Sequence, residues 1–376
     1  MNKANSLLLD AIRLLAAAVV LVGHLNIDLF LGRLPWGIPL HDYMADAVMV
    51  FFVLSGFVIA YVIESKESTA RAYFSARIAR LASVAWPALL LTLLLDTGGR
   101  WYFSNFYNST FYIPADLKII RLLAGGLFLN EVWFLQIHTF SNGPFWSLGY
   151  EFWFYVVFGL WYFFPAKRRI YVTLACLVAG PKILLLYPIW FLGYALYGYL
   201  QKANWSVGKS TGLAVFFVLA YAAYRSSGVA GHTTELLFPQ HMHVIYRILG
   251  KSTNLIDCYL VALVFGGFLT SVYLLLQQVH LKNAGGVPGR IVRQLSSYSF
   301  SIYAVHYPVL VLVAACYSAS TDSATRTLAF FGAALACAIL ISKLSDRFKG
   351  AMKRFVVFLW DAAATRMIKI PTGFGI

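Results

Sequence analysis

The first long apolar stretch of the chain, residues 7–31, contains side chains that can do acid–base chemistry. His24 lies in this stretch together with Arg13 and Asp10. At 100° per residue on a helix, Arg13 and His24 lie within about 20° of the same azimuth and roughly 16 Å apart along the axis, and Asp10 lies near that azimuth too. An ionisable group in a bilayer must offset its desolvation by pairing or by chemistry. This polar stripe is therefore expected to face the protein interior or a water-filled cavity, and function is favoured over a packing role for His24.

A second candidate run extends from Pro144 to Tyr155 and is rich in aromatic residues. Ser147 is expected to cap a helix here. Glu151 would then lie one turn inside the helix, near the positive end of its dipole, which tolerates a carboxylate. The aromatic side chains, Trp146 among them, are explained more simply as an interfacial belt. Glu151 is harder to explain in this way, because a buried carboxylate without a partner is costly.

Two arginines, Arg77 and Arg80, precede the third apolar run. On a helix they share one face, and the positive-inside rule explains part of their presence as a cytoplasmic topology signal. Planar guanidinium groups also bind phosphate through two parallel hydrogen bonds. The pair is therefore predicted to contact a phosphate-bearing ligand as well.

The run from Phe51 to Phe57 contains a Ser-Gly pair, Ser55 and Gly56, in the second apolar stretch. Small residues in a membrane helix allow a neighbouring backbone to approach closely. Taken alone, the run predicts helix packing and no chemistry.

The composition places these residues in a membrane. Of the 376 residues 60% are hydrophobic and 12% are charged, whereas about 25% are charged in soluble proteins. The mean hydropathy is +0.71. The net charge of +15 invites a nucleic-acid interpretation, but Lys and Arg fall in short loops between apolar runs, where the positive-inside rule explains them. The runs have the length of helical spans and no alternation of period two, so we expect an all-α polytopic membrane protein and no nucleic-acid partner.

Ten apolar runs are expected to span the membrane. Five groups of basic residues all face the cytoplasm if both termini are cytoplasmic and residues 98–145 make no net crossing. The run 117–135 is then re-entrant or interfacial; an eleventh crossing there is disfavoured, because it would place a later basic group outside. Residues 1–346 are predicted to form the membrane-embedded domain and 347–376 a basic cytoplasmic tail. The ten runs are 7–31, 43–63, 81–97, 146–164, 170–181, 184–200, 211–225, 257–279, 299–317 and 325–342.

Neither the histidine nor the cysteine spacing predicts a metal site. His232, His241 and His243 share one long segment, but no acidic or cysteine partner stands at ligand spacing, so a surface loop is favoured. The cysteines lie singly in apolar runs without C-x-x-C spacing and are interpreted as small core residues. They are Cys176, Cys258, Cys316 and Cys337.

Five patterns together resemble those of the acyltransferase 3 family of bacterial integral-membrane O-acyltransferases, which modify surface polysaccharides and other extracytoplasmic acceptors. No single pattern is specific, but they occur in the family's order from residue 9 to 308 and so cover nearly the whole chain. Two departures bear on the subfamily: Leu14 stands where the family often has glycine, and Phe152 where it commonly has a second acidic residue. The matching stretches are Leu9–Arg13 with His24, Phe51–Phe57, Arg77 with Arg80, Phe145–Leu148 with Glu151, and Ser299–Pro308.

The resemblance implies ten spans, acyl-CoA as donor, and essential roles for the residues at Arg13 and His24. Because acetyl is the acyl group most common in the family, the resemblance also implies that the donor is acetyl-CoA. The resemblance also implies a carbohydrate or glycolipid acceptor, contact with membrane lipids, and a location in the bacterial cell inner membrane.

Acyl transfer from a thioester to a hydroxyl needs a base, a stabilised oxyanion and a way to hold the anionic donor. We expect His24 to be the general base or a transient acyl carrier. Arg13 is expected to hold a donor phosphate or to orient the polar column, and Glu151 to orient His24 or touch the acceptor. Arg77 and Arg80 are the main candidates for donor phosphate contact. Further candidates are Asp10, Ser147, Trp146 and His306; the last is a candidate second catalytic histidine, although packing is its favoured role.

The depth of His24 constrains the route of the acyl group. If the first span begins near Leu7 on the inside, His24 lies about 25 Å along it, in the outer part of the bilayer. Either the donor's extended arm threads a central cavity, or the acyl group is relayed covalently. Threading is favoured, because no intramembrane cysteine lies on the polar stripe.

A transporter or flippase is the competing class, since a polar column through a helical bundle also describes a transport path. Such a protein is expected to show inverted repeats and paired broken helices in its two halves. The sequence shows neither, so transfer chemistry is favoured over transport.

Overall fold

The chain folds as a bundle of helices. The computed structural model describes residues 1–27, 30, 40–109, 114–230, 233, 244, 248–278, 285–317 and 323–368. Within these residues there is no β-strand, and one isolated bridge joins Thr139 and Asn142. The all-α fold predicted from the sequence is confirmed.

Twelve α-helices are defined in the described part of the chain. In chain order they are α1 (Lys3–Leu25), α2 (Met44–Ser65), α3 (Ala70–Tyr102), α4 (Ser104–Ser109), α5 (Lys118–Gly126), α6 (Trp146–Phe163), α7 (Arg168–Ala179), α8 (Pro181–Leu200), α9 (Val207–Ser226), α10 (Leu255–Gln278), α11 (Val287–Cys316) and α12 (Ser323–Ile368).

Eight of these helices are long and apolar enough to cross a membrane: α1, α2, α3, α8, α9, α10, α11 and α12. This confirms a polytopic membrane protein. The predicted spans at 146–164 and 170–181 correspond to α6 and α7, which have 18 and 12 residues. A 12-residue helix is about 18 Å long and falls short of the hydrocarbon core of about 30 Å. The number of crossings and the cytoplasmic side of both termini stay predictions.

The segment 117–135 contains one short helix. α5 has nine residues and is therefore about 14 Å long, and the chain after it passes through positive φ at Phe128 and Trp133. Trp133 then contacts the end of α7, donating its backbone N–H to the Ala179 carbonyl at 3.0 Å and its indole N–H to the Leu177 carbonyl at 2.6 Å. A helix of this length covers less than half of the hydrocarbon core, which favours the re-entrant or interfacial interpretation.

The first helix lies between two groups of helices, and this position places its polar stripe inside the protein. α1 packs against α11 and also against α2. α11 packs in turn against α12 and α3, while α2 packs most extensively against α8 and also against α10. α1 thus joins the two groups of helices on one side, and α6, which packs against α3 and α8, joins them on the other.

Two glycines allow α2 and α8 to approach closely. A Cβ atom on Gly56 would lie 1.9 Å from the carbonyl oxygen of Trp190, and one on Gly193 would lie 1.9 Å from the carbonyl oxygen of Val53. Neither position has room for a side chain. The packing notch predicted for the Ser-Gly pair of α2 is therefore present.

The last helix is longer than a membrane is thick. α12 has 46 residues, about 69 Å. Its distal part lies against α3: the ring of Trp360 stacks on Phe74 with centroids 5.9 Å apart, and Asp361 pairs with Arg71 at 2.6 Å. The expected boundary at residue 346 falls inside this helix, so the division into an embedded domain and a tail stays a prediction.

The described residues contain no group of three or more His, Cys, Asp or Glu side chains placed to hold a metal ion. The four cysteines are free thiols. His232, His241 and His243, the histidines of the expected surface loop, lie outside the described residues.

The glycine contact between α2 and α8 gives a stability prediction. Gly193→Ala should lower the melting temperature and the yield of monodisperse protein in detergent, because the new methyl meets backbone that cannot move aside, at a cost of about 1–3 kcal/mol or more. Gly198→Ala on the same helix is the matched control, since a Cβ there would meet no atom within 4 Å. Equal melting temperatures for the two variants would contradict this packing.

The topology is testable by cysteine labelling in a cysteine-free background. Ser109→Cys and His138→Cys, both at exposed positions, should react with a membrane-impermeant thiol reagent in intact cells, whereas Ser206→Cys should react after the membrane is broken. This follows from the charge rule that keeps residues 98–145 on one side. Labelling of Ser109→Cys and His138→Cys from opposite sides would refute ten crossings.

Candidate active site

Two histidines far apart in sequence are in contact inside the bundle. His24 lies near the end of α1 and His306 lies in α11, with ring centroids 4.9 Å apart. The Nε2 atom of His306 lies 3.2 Å from Nδ1 of His24. His306 is fully buried, whereas His24 is partly exposed. The structure thus brings the predicted base together with one of the additional candidates.

Backbone carbonyls assign the tautomers of both rings. Nδ1 of His306 lies 3.0 Å from the Ile302 carbonyl oxygen and 2.9 Å from that of Tyr303. A carbonyl only accepts, so this nitrogen carries the proton and Nε2 of His306 is an acceptor. Nδ1 of His24 lies 2.8 Å from the Val20 carbonyl oxygen and is therefore also protonated, donating to Val20 and His306. Its Nε2 keeps a lone pair to which no described residue donates, which is the form that a base requires.

A proline in α11 explains how the histidine pair is joined to the loop before α6. Pro308 has no N–H, so the Ala304 carbonyl four residues earlier loses its helical donor. The side-chain amide of Asn142 donates to that carbonyl instead, at 2.8 Å, and also lies 3.4 Å from the Thr92 hydroxyl. The chain just before α6 is thereby fixed against α11, close to His306.

Glu151 is held by hydroxyl groups and makes no contact with the histidines. Its Oε1 accepts from the hydroxyl of Ser55 at 2.8 Å and from that of Tyr155 at 2.5 Å. The indole of Trp190 donates to Ser55 at 3.0 Å. These partners offset the cost of burying a carboxylate. The prediction that Glu151 orients His24 finds no contact to support it, while a role towards a substrate stays a prediction.

Ser147 does not cap α6, so that prediction is wrong. The helix begins at Trp146, which places Ser147 inside its first turn. There its hydroxyl donates to the Tyr303 hydroxyl at 2.7 Å, and Tyr303 donates to the Pro144 carbonyl at 3.1 Å. Tyr303 therefore contacts the start of α6 with its hydroxyl, while its backbone carbonyl accepts from His306.

The two arginines at the start of α3 differ in their surroundings. Arg77 forms a 2.6 Å ion pair with Glu67, and the two side chains are 10% and 11% exposed. Arg80 forms no ion pair within the described residues; its guanidinium lies over the ring of Phe300, 5.8 Å from the centroid. The charge of Arg77 is thus compensated inside the protein, whereas that of Arg80 remains available to a ligand.

Two neighbouring cavities bring most of the predicted residues together. The central cavity, about 70 Å³, lies among α1, α2, α3, α6 and α11. The basic cavity, about 240 Å³, shares Arg13 and Arg80 with it and adds Asp10, Arg293 and Lys349. Arg13 is paired only loosely with Asp10, at 3.5 Å. The predicted residues that line the central cavity are Arg13, Arg77, Arg80, Ser147 and Glu151.

The histidine pair stands next to these cavities without lining them. Tyr303 connects the histidine pair to the central cavity: it lines the cavity, and its backbone carbonyl accepts a hydrogen bond from His306. Trp146 lies away from the other predicted residues, in the wall of a separate cavity at the start of α6.

Three hydroxyl-bearing residues of the site were not singled out from the sequence as chemical groups. Ser55 was interpreted as packing alone, although a hydroxyl in a membrane helix also needs a partner. Tyr155 stands four residues after Glu151, the spacing at which side chains of one helix meet. Tyr303 lies three residues before His306 on its helix and carried no signal of its own.

Two comparisons relate this chain to known sequences. The family model for acyltransferase 3, described as an acyltransferase domain, matches residues 7–343. An O-acetyl transferase of Shigella phage Sf6 is 26% identical over 252 residues, which cover 60% of this chain and 71% of that protein. No solved structure matches the chain. Because the family match contains every helix that forms the histidine pair and the central cavity, the chain belongs to the acyltransferase 3 family of membrane O-acyltransferases.

Proposed function

We propose that this protein moves an acyl group, most simply acetyl, from cytoplasmic acyl-CoA to a hydroxyl of an extracytoplasmic or lipid-linked acceptor. The acceptor is a sugar of a surface polysaccharide, and the location is the bacterial inner membrane. The observation that carries the proposal is the free lone pair on Nε2 of His24, fixed because Nδ1 is engaged by Val20 and His306. The similarity to an O-acetyl transferase supports the acetyl group.

His24 would move one proton during transfer. The acceptor hydroxyl gives its proton to Nε2 as its oxygen attacks the thioester carbonyl carbon. When the tetrahedral intermediate collapses, the C–S bond breaks and the proton passes from His24 to the leaving sulfur, which yields the ester and the free CoA thiol. A transient acyl carrier would use the same lone pair in a first attack on the thioester.

His306 acts in this scheme as a positioning residue. While His24 is an imidazolium, its Nδ1–H keeps two acceptors, the Val20 carbonyl and Nε2 of His306. Two carbonyls of α11 hold the proton on the other nitrogen of His306. The pair therefore fixes the orientation of the base and stabilises its charge, as an oriented acceptor does in other acyl-transfer sites.

The donor phosphates belong in the basic cavity. Arg80 and Arg13 line both this cavity and the central one. They are therefore placed where the phosphate-bearing part of the donor would end and its uncharged arm would begin. Arg77 is already paired with Glu67 and acts mainly as a structural cation. The phosphate contact predicted for the arginine pair is accordingly assigned to Arg80.

The central cavity, of about 70 Å³, is assigned to the thioester end of the donor and would have to widen for the rest of the arm. Glu151 presents a carboxylate to it, held by Ser55 and Tyr155, and a carboxylate accepts hydrogen bonds from amide N–H groups. Arg13 and His24 are roughly 16 Å apart along α1, so an arm threaded through this cavity approaches the base from the phosphate side. The shared lining of the two cavities supports threading over a covalent relay through cysteine.

Replacement of His24 tests the base. His24→Asn keeps a hydrogen-bonding side chain but has no basic nitrogen, so the turnover of the purified protein with acetyl-CoA and its acceptor should fall about 10²–10⁴-fold. Binding of acetyl-CoA, measured by calorimetry, should stay near that of the wild type.

The matched control is His41→Asn, which changes an exposed histidine whose charge reaches His24 but which makes no hydrogen bond to it, so turnover should change little. Full turnover of His24→Asn would exclude both the base and the carrier role.

Substitutions of the two arginines of α3 should affect different properties of the protein. Arg80→Gln should weaken acetyl-CoA binding about tenfold or more, because a charge-assisted hydrogen bond is worth about 1.5–3 kcal/mol. Arg77→Gln should instead lower the melting temperature, since it leaves Glu67 buried without its cation. Arg290→Gln, at an exposed position of α11, is the control for lost charge. Equal donor affinity in Arg80→Gln and Arg290→Gln would reduce Arg80 to a topology signal.

A further inference from the structure

A third cavity, of about 270 Å³, lies at the start of α6 on the side of the histidine pair. Its walls are the chain between α5 and α6 and the turn at Gly250 and Lys251. We call it the outer cavity. Asn142, which lines it, also donates to the Ala304 carbonyl, two residues before His306. The charge of Lys251 acts on His24 as well. The outer cavity and the base are therefore neighbours, at the end of α1 opposite the basic cavity.

The two walls of the outer cavity are held by one buried lysine. Lys182 of α8 is fully buried and pairs with Glu131 at 2.7 Å. Its ammonium also donates to the Leu135 carbonyl, and its own backbone carbonyl accepts from Ser252 at 2.7 Å. One residue thus fixes the loop before α6 and the turn before α10, so the cavity has a built frame, as small-molecule sites generally do.

Two buried amide oxygens in this wall have no hydrogen-bond partner in the described part of the chain. Asn130 and Asn142 line the outer cavity and are each 1% exposed. The Oδ1 atom of each accepts no hydrogen bond within the described residues. A buried acceptor without a donor is costly and rare in folded proteins. Because Asn130 and Asn142 line the cavity, a molecule bound there is placed to donate to these oxygens, and hydroxyl groups supply such donors.

The charge of the outer cavity is small. Glu131 is neutralised by Lys182. Partial desolvation, together with the charges of Lys251 and Arg121, lowers the pKa of His138, which favours its neutral form. Among the described residues of the cavity wall, Lys251 carries the one remaining charge, and Trp146 adds an aromatic surface. Such a lining suits an uncharged polyhydroxy ring and does not suit a polyphosphate.

We infer that the outer cavity binds one sugar unit of the acceptor, the unit whose hydroxyl is acylated. This inference rests on the proposed function. Small-molecule sites start at about 300 Å³, so a cavity of about 270 Å³ takes a single ring and leaves the rest of the glycan outside. The amides of Asn130, Asn142 and Gln136 hold its hydroxyls, and Trp146 packs against its apolar face.

Saturation-transfer NMR on the full-length protein in detergent tests this site without any donor. The probes are methyl glycopyranosides of glucose, galactose, mannose, rhamnose and N-acetylglucosamine. At least one should show saturation transfer with the wild type and lose it, with an affinity about tenfold weaker or more, in Asn130→Leu and in Gln136→Ala. Asn5→Leu is the matched control, because Asn5 is as deeply buried but lies at the other end of α1.

Two further measurements distinguish loss of the sugar site from misfolding and from failure of the proposed function. Binding of acetyl-CoA by the same preparations, measured by calorimetry, shows that Asn130→Leu and Gln136→Ala are folded and have a donor site, while KM for the bound glycoside should rise. Glycoside binding without any acyl transfer by the wild type would refute the proposed function and leave the sugar site standing. Acyl transfer with equal glycoside binding in wild type, Asn130→Leu and Gln136→Ala would overturn the sugar site, and so would the absence of saturation transfer from all five glycosides.

Discussion

The structure depends on one constraint: a polar side chain inside a lipid bilayer must find its partners within the protein. His24 satisfies it with a carbonyl of its own helix and with His306 of α11. Glu151 satisfies it with Ser55 of α2 and Tyr155 of its own helix. The contacts of His24 with His306 and of Glu151 with Ser55 run between helices, so they favour α1 beside α11 and α2 beside α6. The polar groups of the candidate site therefore also contribute to the arrangement of the bundle.

Packing and polarity act together at the contact of α2 and α8. The glycines at this contact bring the two backbones close, and this approach places the indole of Trp190 within 3.0 Å of the Ser55 hydroxyl. A larger residue at Gly56 would separate the helices and remove that donor. The small-residue motif, which alone indicates packing, is thus a condition for the hydroxyl cluster that holds Glu151.

The sequence was sufficient for what depends on periodicity and composition. The helical class and the inward face of α1 follow from apolar runs and from the spacing of Arg13 and His24, while Arg77, Arg80 and Glu151 were singled out as charged groups beside or within apolar runs. Contacts between residues distant in sequence were not predicted. His24 and His306 are 282 positions apart, and no local pattern encodes that pairing. Local context also misled once, at Ser147, because the start of α6 was set by tertiary contacts with Tyr303 and not by a cap. The ion pair of Arg77 with Glu67 was also not predicted, because Glu67 lies in the turn before α3, where no helical periodicity relates it to Arg77.

Tyr303 belongs to both halves of the site, and this has a thermodynamic consequence. Its hydroxyl forms part of the wall of the central cavity and is bonded to the first turn of α6, while its carbonyl fixes the proton of His306. Any ligand that shifts the start of α6 must also change how the two imidazoles are aligned. Coupling of this kind is reciprocal: if filling the cavity favours the aligned pair, then the aligned pair favours filling of the cavity.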